Sequence, residues 1–239
     1  MSTFVLVHGA WHGAWAWDRL RPHLAAAGHR VVTPTLPGAA GEPGVGLHHQ
    51  ANHLHAMLVA QSEPVVLVGH SYGGLVVREA AARAPHTIRH LLLIDAWLGA
   101  DGQSLFDLAP PAFRDFCAST ATGTGLQRLV PPPPPGLFGV FDPMDSAWLK
   151  VRLRPQPWAT FSEPTRLAAG IAGVPGSAIL CDSPAYPFAE LAAAAGYPTR
   201  RIDTGHDAML TAPGELASAM QELLRDERPG ATDARAPTA

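Results

Sequence analysis

Strands and helices alternate along most of this chain, which predicts an α/β fold: a doubly wound, mostly parallel sheet with an inserted helical cap. Three observations carry that expectation. Short apolar runs bounded by Gly and Pro recur with helical stretches between them. A G-x-S-x-G turn, Gly69-His70-Ser71-Tyr72-Gly73, joins the run Val65-Val66-Leu67-Val68 to a helical stretch from Leu75 to Ala84. From Trp97 to about Gly173 the rhythm stops, and prolines and scattered aromatics replace it.

Taken in order, Phe4-Val5-Leu6-Val7-His8 is the first strand, and Gly9 to Trp15 a glycine-broken loop before a helix over about 17–27. Gly28 stops that helix. Arg30 to Thr33 is the second strand, followed by a Gly/Pro-rich connection and a helix over about 47–61. Residues 64–69 form the central strand, and Ile88 to Asp95 the fourth, after Pro85 ends the intervening helix. Pro131 to Pro135 can be neither helix nor central strand and reads as polyproline II. The sheet resumes at Ser177 to Asp182, continues through a helix over about 188–195 and ends with the strand Thr199 to Asp203. A closing helix begins near Pro213, a favoured first-turn residue. The expected organisation is a core of residues 1–97 and 174–227, a cap over 98–173 and a disordered tail over 228–239.

Composition narrows the function classes. Hydrophobic residues make up 47% and charged residues 15%, with a net charge of -3, so no basic field is available for nucleic acid or an anionic membrane. No apolar run approaches a membrane span of about 20 residues. Met1-Ser2-Thr3 runs directly into a strand, so no secretory leader is expected. Cys117 and Cys181, the two cysteines, make neither a disulfide framework nor a metal spacing, which points to a cytoplasmic setting. The twelve histidines include no H-E-x-x-H or similar spacing. No metal site is expected.

In parallel α/β sheets, ligands bind outside the carboxyl ends of the strands, where Ser71, Asp95, Asp182 and His206 all fall. A serine hydroxyl is a poor nucleophile near neutrality, so an imidazole must take its proton, and a carboxylate must hold that imidazole in the right tautomer. Ser71 is the nucleophile of a strained elbow, His206 the base, and Asp182 or Asp95 the acid. The Tyr72 N–H is one oxyanion donor, and Ala10, after the first strand, is expected to supply the other. His8 and His70 are expected to pack and orient loops.

The segments F-V-L-V-H-G-A-W-H-G-A-W-A-W (Phe4 to Trp17), G-H-S-Y-G-G (Gly69 to Gly74) and T-G-H-D-A-M-L (Thr204 to Leu210) resemble α/β-hydrolase-fold enzymes, specifically the plant methylesterases and hydroxynitrile lyases with their bacterial relatives. The likeness spans the sheet but not the cap. It implies a serine esterase machinery with the same assignments, a small cap over an apolar pocket, and no metal or organic cofactor. Two departures stand out. The nitrile lyase branch carries a threonine in the first loop and a lysine after the catalytic histidine, where this chain has Gly9 and Asp207, which argues against cyanohydrin cleavage. The relatives' acid would fall near Ser183 or Pro184, so Asp182 or Asp95 must serve instead.

The expected activity is hydrolysis of a small or medium apolar ester, aromatic or polyketide-like, through an acyl-enzyme. The alternatives are a lyase, cyclase or C–C bond-forming enzyme using the same pocket in natural-product tailoring, and a ligand-binding receptor on a hydrolase scaffold. Trp11, Trp97, Phe138, Phe141, Trp148, Trp158 and Phe161 are the candidate pocket walls. The expected partner is a small apolar substrate, with neither nucleic acid nor membrane, and a homodimer is left open.

Overall fold

A computed structural model describes residues 1–167, 169–183 and 185–226. The tail expected over 228–239 and Pro184 lie outside the described residues. Six strands, β1 (Thr3–Val7), β2 (Arg30–Val32), β3 (Val65–His70), β4 (Ile88–Ile94), β7 (Gly176–Leu180) and β8 (Thr199–Arg201), form one sheet in the order β2-β1-β3-β4-β7-β8. Every pairing in it is parallel. Parallel neighbours need crossovers. They are made by α1 (Arg21–Ala26), α2 (Leu47–Val59), α3 (Gly73–Arg83) and α8 (Phe188–Ala194), and α9 (Ala208–Thr211) and α10 (Pro213–Asp226) close the chain.

Side-chain alternation along each strand divides the core into two faces. Phe4, Leu6, Val66, Val68, Leu92 and Ile94 pack with Leu24 of α1 and Leu216 and Met220 of α10. Val5, Val7, Leu67, Leu91 and Leu93 pack on the opposite face with Leu54 of α2, Val77 of α3 and Ala192 of α8. Both faces of β3 are thereby covered, which is why it reads as an unbroken apolar run.

Several element edges differ from the sequence reading by a residue or two, and two of the differences have a local reason. The helix expected over 17–27 is split into a 3₁₀ turn, Ala14–Trp17, and α1, which begins at Arg21 with Pro22 in its first turn. A proline ring is accommodated there because first-turn N–H groups lack intrahelical acceptors. The last strand stops at Arg201 rather than Asp203, since β8 lies at the sheet edge and pairs only with β7.

The inserted segment contains short helices α4 (Leu105–Leu108), α5 (Pro111–Thr120), α6 (Pro143–Lys150) and α7 (Ala159–Ser162) and a two-stranded antiparallel ribbon, β5 (Leu129–Val130) with β6 (Gln156–Pro157). The ribbon is too short to leave an alternating signal in the sequence. The proline run is expected to be non-helical throughout, but its last residue, Pro135, opens a 3₁₀ turn, Pro135–Phe138, because a first-turn position needs no N–H; the turn ends at Gly139, whose φ is 73°. A Cβ on Gly139 would lie 2.5 Å from the Gly205 Cα, so this turn rests directly on the loop carrying His206. The Asp207 N–H donates to the Phe138 carbonyl at 3.0 Å across the same contact.

Candidate active site

Ser71 stands between β3 and α3 with φ at 52°. That left-handed geometry costs a residue with a Cβ about 1–3 kcal/mol and persists only where its surroundings impose it. Here the Ser71 N–H donates to the Ile94 carbonyl at 3.0 Å, and the Ser71 carbonyl accepts from Gly74 at 3.0 Å and Trp97 at 3.1 Å. The turn also needs its glycines: a Cβ on Gly69 would sit 2.7 Å from Val77 Cγ2, and one on Gly73 2.7 Å from the His8 carbonyl oxygen. Trp11, at φ 64°, and Asp95, at φ 39°, are the other non-glycine residues in this conformation among the described residues. All three lie at the carboxyl ends of neighbouring strands.

His206 follows β8, and its Nδ1–H donates to Asp95 Oδ2 at 3.1 Å. Asp95 also accepts from the Cys181 N–H at Oδ1, 2.8 Å, and from the Ser183 hydroxyl at Oδ2, 2.7 Å. Burial alone would raise the Asp95 pKa. The His206, Cys181 and Ser183 donors outweigh it and hold the carboxyl below its ordinary range. The structure therefore brings Asp95, not Asp182, to His206. Asp182 turns its side chain to solvent while its N–H donates to the Thr204 carbonyl at 2.8 Å. The reason is local: Cys181 and Ser183, on either side of it, both turn inward to Asp95. Ser183 stands where the family resemblance places an acid, and its hydroxyl serves the carboxylate from the adjacent strand.

The remaining histidines of the region hold loops. His70 Nε2–H donates to the His206 carbonyl at 3.0 Å, and burial followed by the nearby His206 lowers the His70 pKa to about 3, so this ring is neutral. His8 accepts from the Leu36 N–H at 3.1 Å and is lowered by burial to about 4. Neither Ala10 N–H nor Tyr72 N–H meets a protein acceptor among the described residues, and both residues border the cavity beside Ser71.

That cavity, about 260 Å³, is lined by Ser71 and His206 together with Trp11, Trp97, Phe138 and Phe161 of the expected walls. Three other expected walls lie elsewhere. Phe141 is 80% exposed on the outer surface. Trp148 packs against Trp15 and under Arg152, and Trp158 against Phe106 and Arg128. Alternation and composition do not distinguish such stacked surface rings from cavity walls. Conversely, Phe113 and Phe116 of α5 and Tyr186 and Phe188 before and within α8 line the cavity without having stood out in the sequence. Phe188 lies parallel to the His206 ring at 5.4 Å. His12 and Asp207, which pair at 3.1 Å, were not singled out by the sequence as a pair, although Asp207 marked a departure from the lyase pattern.

Fold and strained serine turn together define a hydrolase scaffold, and a family model described as the alpha/beta hydrolase family matches residues 4–219. The chain belongs to that family. It is 36% identical to a carbendazim hydrolyzing esterase of Nocardioides sp. (strain SG-4G) over 93% of this chain and all of that protein. A methyl jasmonate esterase of Vitis vinifera is 39% identical over 40% of this chain and 39% of its own length. Among solved structures, an extracellular alpha/beta-hydrolase from a Paenibacillus species superposes with a TM-score of 0.81 at 22% identity, covering 93% of this chain and 99% of that one. Among the described residues no helix is long and apolar enough to cross a membrane, and no group of three or more His, Cys, Asp or Glu side chains could hold a metal ion.

Proposed function

We propose that this chain hydrolyses a small or medium apolar ester through an acyl-enzyme formed on Ser71. The observation that carries the proposal is the hydrogen bond from His206 Nδ1 to the buried, multiply bonded Asp95 carboxylate, with Ser71 and His206 opening onto one cavity. Asp95 fixes the tautomer in which His206 Nε2 is unprotonated and can accept the Ser71 proton as Oγ attacks the ester carbonyl. The Ala10 and Tyr72 N–H groups then hold the oxyanion, and His206 returns the proton to the departing alcohol. A water activated by the same imidazole cleaves the acyl-enzyme.

The segment over 98–173 acts as the cap, since Leu105, Phe113, Phe138 and Phe161 supply much of the cavity wall. Walls so rich in aromatic rings suit a flat apolar acyl group, aromatic or polyketide-like. Two relatives whose names describe esterases support hydrolysis. A carboxylate on His206 supports acyl-enzyme hydrolysis over the lyase or cyclase reading.

The test is turnover of short-chain p-nitrophenyl esters with a fluorophosphonate label as the readout of nucleophile activation. Labelling and turnover in the wild type that both vanish in Ser71→Ala are expected. A wild type that binds apolar esters, neither labels nor turns over, and is unchanged by Ser71→Ala would instead indicate a receptor.

A further inference from the structure

Outside the cavity lining lies a pair that the esterase mechanism does not use. His12 is 2% exposed and Asp207 1%. His12 Nδ1 lies 2.7 Å from the Ala10 carbonyl oxygen, and His12 Nε2 lies 3.1 Å from Asp207 Oδ2. A carbonyl and a carboxylate only accept, so both ring nitrogens must donate and His12 is an imidazolium.

Each end of this bridge is attached to a catalytic element. At one end, the Ala10–Trp11 peptide is held a second time by Gln156 Oε1, which accepts the Trp11 N–H at 3.0 Å, and the Arg154 N–H caps the Trp11 carbonyl at 3.0 Å. At the other end, Asp207 directly follows His206 and is tied through its own N–H to the Phe138 carbonyl. His12 is the side chain that spans from the first-strand loop to the histidine loop.

We propose that His12 and Asp207 are positioning residues, a buried hydrogen-bonded clamp that sets the distance between the Ala10 oxyanion donor and His206. The proposal rests on the esterase reading above. Neither side chain lines the cavity, so the clamp governs the geometry of the chemical step and leaves substrate binding alone. The titratable groups facing it are His8 on its own loop, His70 at the end of β3, Cys181 after β7, and His206. The neutral rings of Trp15 and Phe138 complete its surroundings, at 5.2 and 5.1 Å from the His12 ring.

Steady-state kinetics of Asp207→Ala, His12→Gln and Asp207→Asn test the clamp. Asp207→Ala removes the acceptor, and His12→Gln keeps a donor that reaches only one of the two partners. Both are expected to lower kcat about tenfold or more with KM within about twofold, because small displacements of catalytic groups act on the chemical step. Asp207→Asn, whose amide can donate to a neutral His12 Nε2 while Nδ1–H still reaches Ala10, is expected to recover most of that loss.

Wild-type kcat in folded His12→Gln, a KM rise that accounts for the loss, or Asp207→Asn no better than Asp207→Ala would each overturn the proposal. If Asp207→Ala does not fold, His12→Gln and a measurement on the wild type remain. Long-range ¹H–¹⁵N NMR near neutral pH must show both His12 nitrogens protonated, and a neutral ring would overturn the clamp as drawn. The NMR result does not depend on turnover, and Ser71→Ala in the same series reports separately on the esterase reading.

Discussion

Replacing Asp95 by Asn changes one atom and should nearly abolish turnover, for a reason that can be followed donor by donor. In the wild type Oδ1 accepts from the Cys181 N–H, while Oδ2 accepts from His206 Nδ1–H and the Ser183 hydroxyl. An asparagine must keep its oxygen on the Cys181 N–H, because a backbone donor cannot be reversed. Its NH₂ then faces His206 Nδ1 and drives the ring proton to Nε2, the tautomer that cannot accept from Ser71. The opposite amide orientation sets NH₂ against the buried Cys181 N–H, leaving a donor unsatisfied at about 1–3 kcal/mol. Ser183 can rotate to accept and does not decide between the two.

The carboxylate that stabilises the imidazolium during attack is lost in either case. By analogy with other serine triads the loss is about 10³–10⁴-fold in kcat, roughly 4–5.5 kcal/mol of barrier. The assay is p-nitrophenyl acetate turnover, with thermal unfolding as a check that the variant folds. Asp182→Asn, altering an exposed side chain, should stay within about twofold. The reasoning fails if folded Asp95→Asn keeps activity within about threefold of wild type, or if Asp182→Asn shows the steep loss instead.

Phe161 is fully buried amid Trp11, Tyr72, Phe106 and Phe113, so Phe161→Ala should cost about 3–5 kcal/mol of stability, readable as a lower urea midpoint. Phe113→Ala should raise KM for aromatic esters more than for acetate, whereas Phe141→Ala, on the outer surface, should leave both unchanged; equal effects of the two would contradict the cavity as described. Burial holds His8 to about 4, His70 to about 3 and His90 to about 4, so the unfolded chain binds more protons than the folded one from about pH 6.5 downward. Stability should therefore begin to fall below about pH 6.5, before carboxylates titrate, and a Tm unchanged between pH 7 and 4.5 would refute this. His12 acts with the opposite sign: burial lowers its pKa, Asp207 more than offsets that, and the stability it adds is present below about 6.5 and lost as pH rises through the raised value. Gly139→Ala, driving a Cβ toward Gly205, should displace the His206 loop and lower both Tm and kcat.

Much of the fold was legible because its signals are local. Short continuous apolar runs in β1, β3 and β4, proline and glycine at helix ends, and a serine turn between a strand and a helix each lie within a few consecutive residues. The same is true of Ser71 and His206, which stand at the ends of recognisable strands. Asp95 and Asp182 could not be separated in this way. Both follow apolar strands, and what distinguishes them is that Cys181 and Ser183, 86 and 88 residues after Asp95, turn their donors toward it.

The cavity walls and the buried pair follow the same rule. Phe141, Trp148 and Trp158 look no different in sequence from Phe113, Tyr186 and Phe188; whether a ring faces solvent, an arginine or the cavity depends on how short helices without a periodic pattern pack on one another. His12 and Asp207 lie 195 residues apart and meet only because the sheet brings the loops after β1 and β8 together. Sequence by itself determined the main strands, the elbow and the places of Ser71 and His206 at strand ends, because backbone preference and apolar runs act over short distances. Tertiary structure alone decided which carboxylate meets His206, which rings line the cavity and that His12 meets Asp207, because hydrogen bonds and packing between distant segments exist only once the sheet has gathered them.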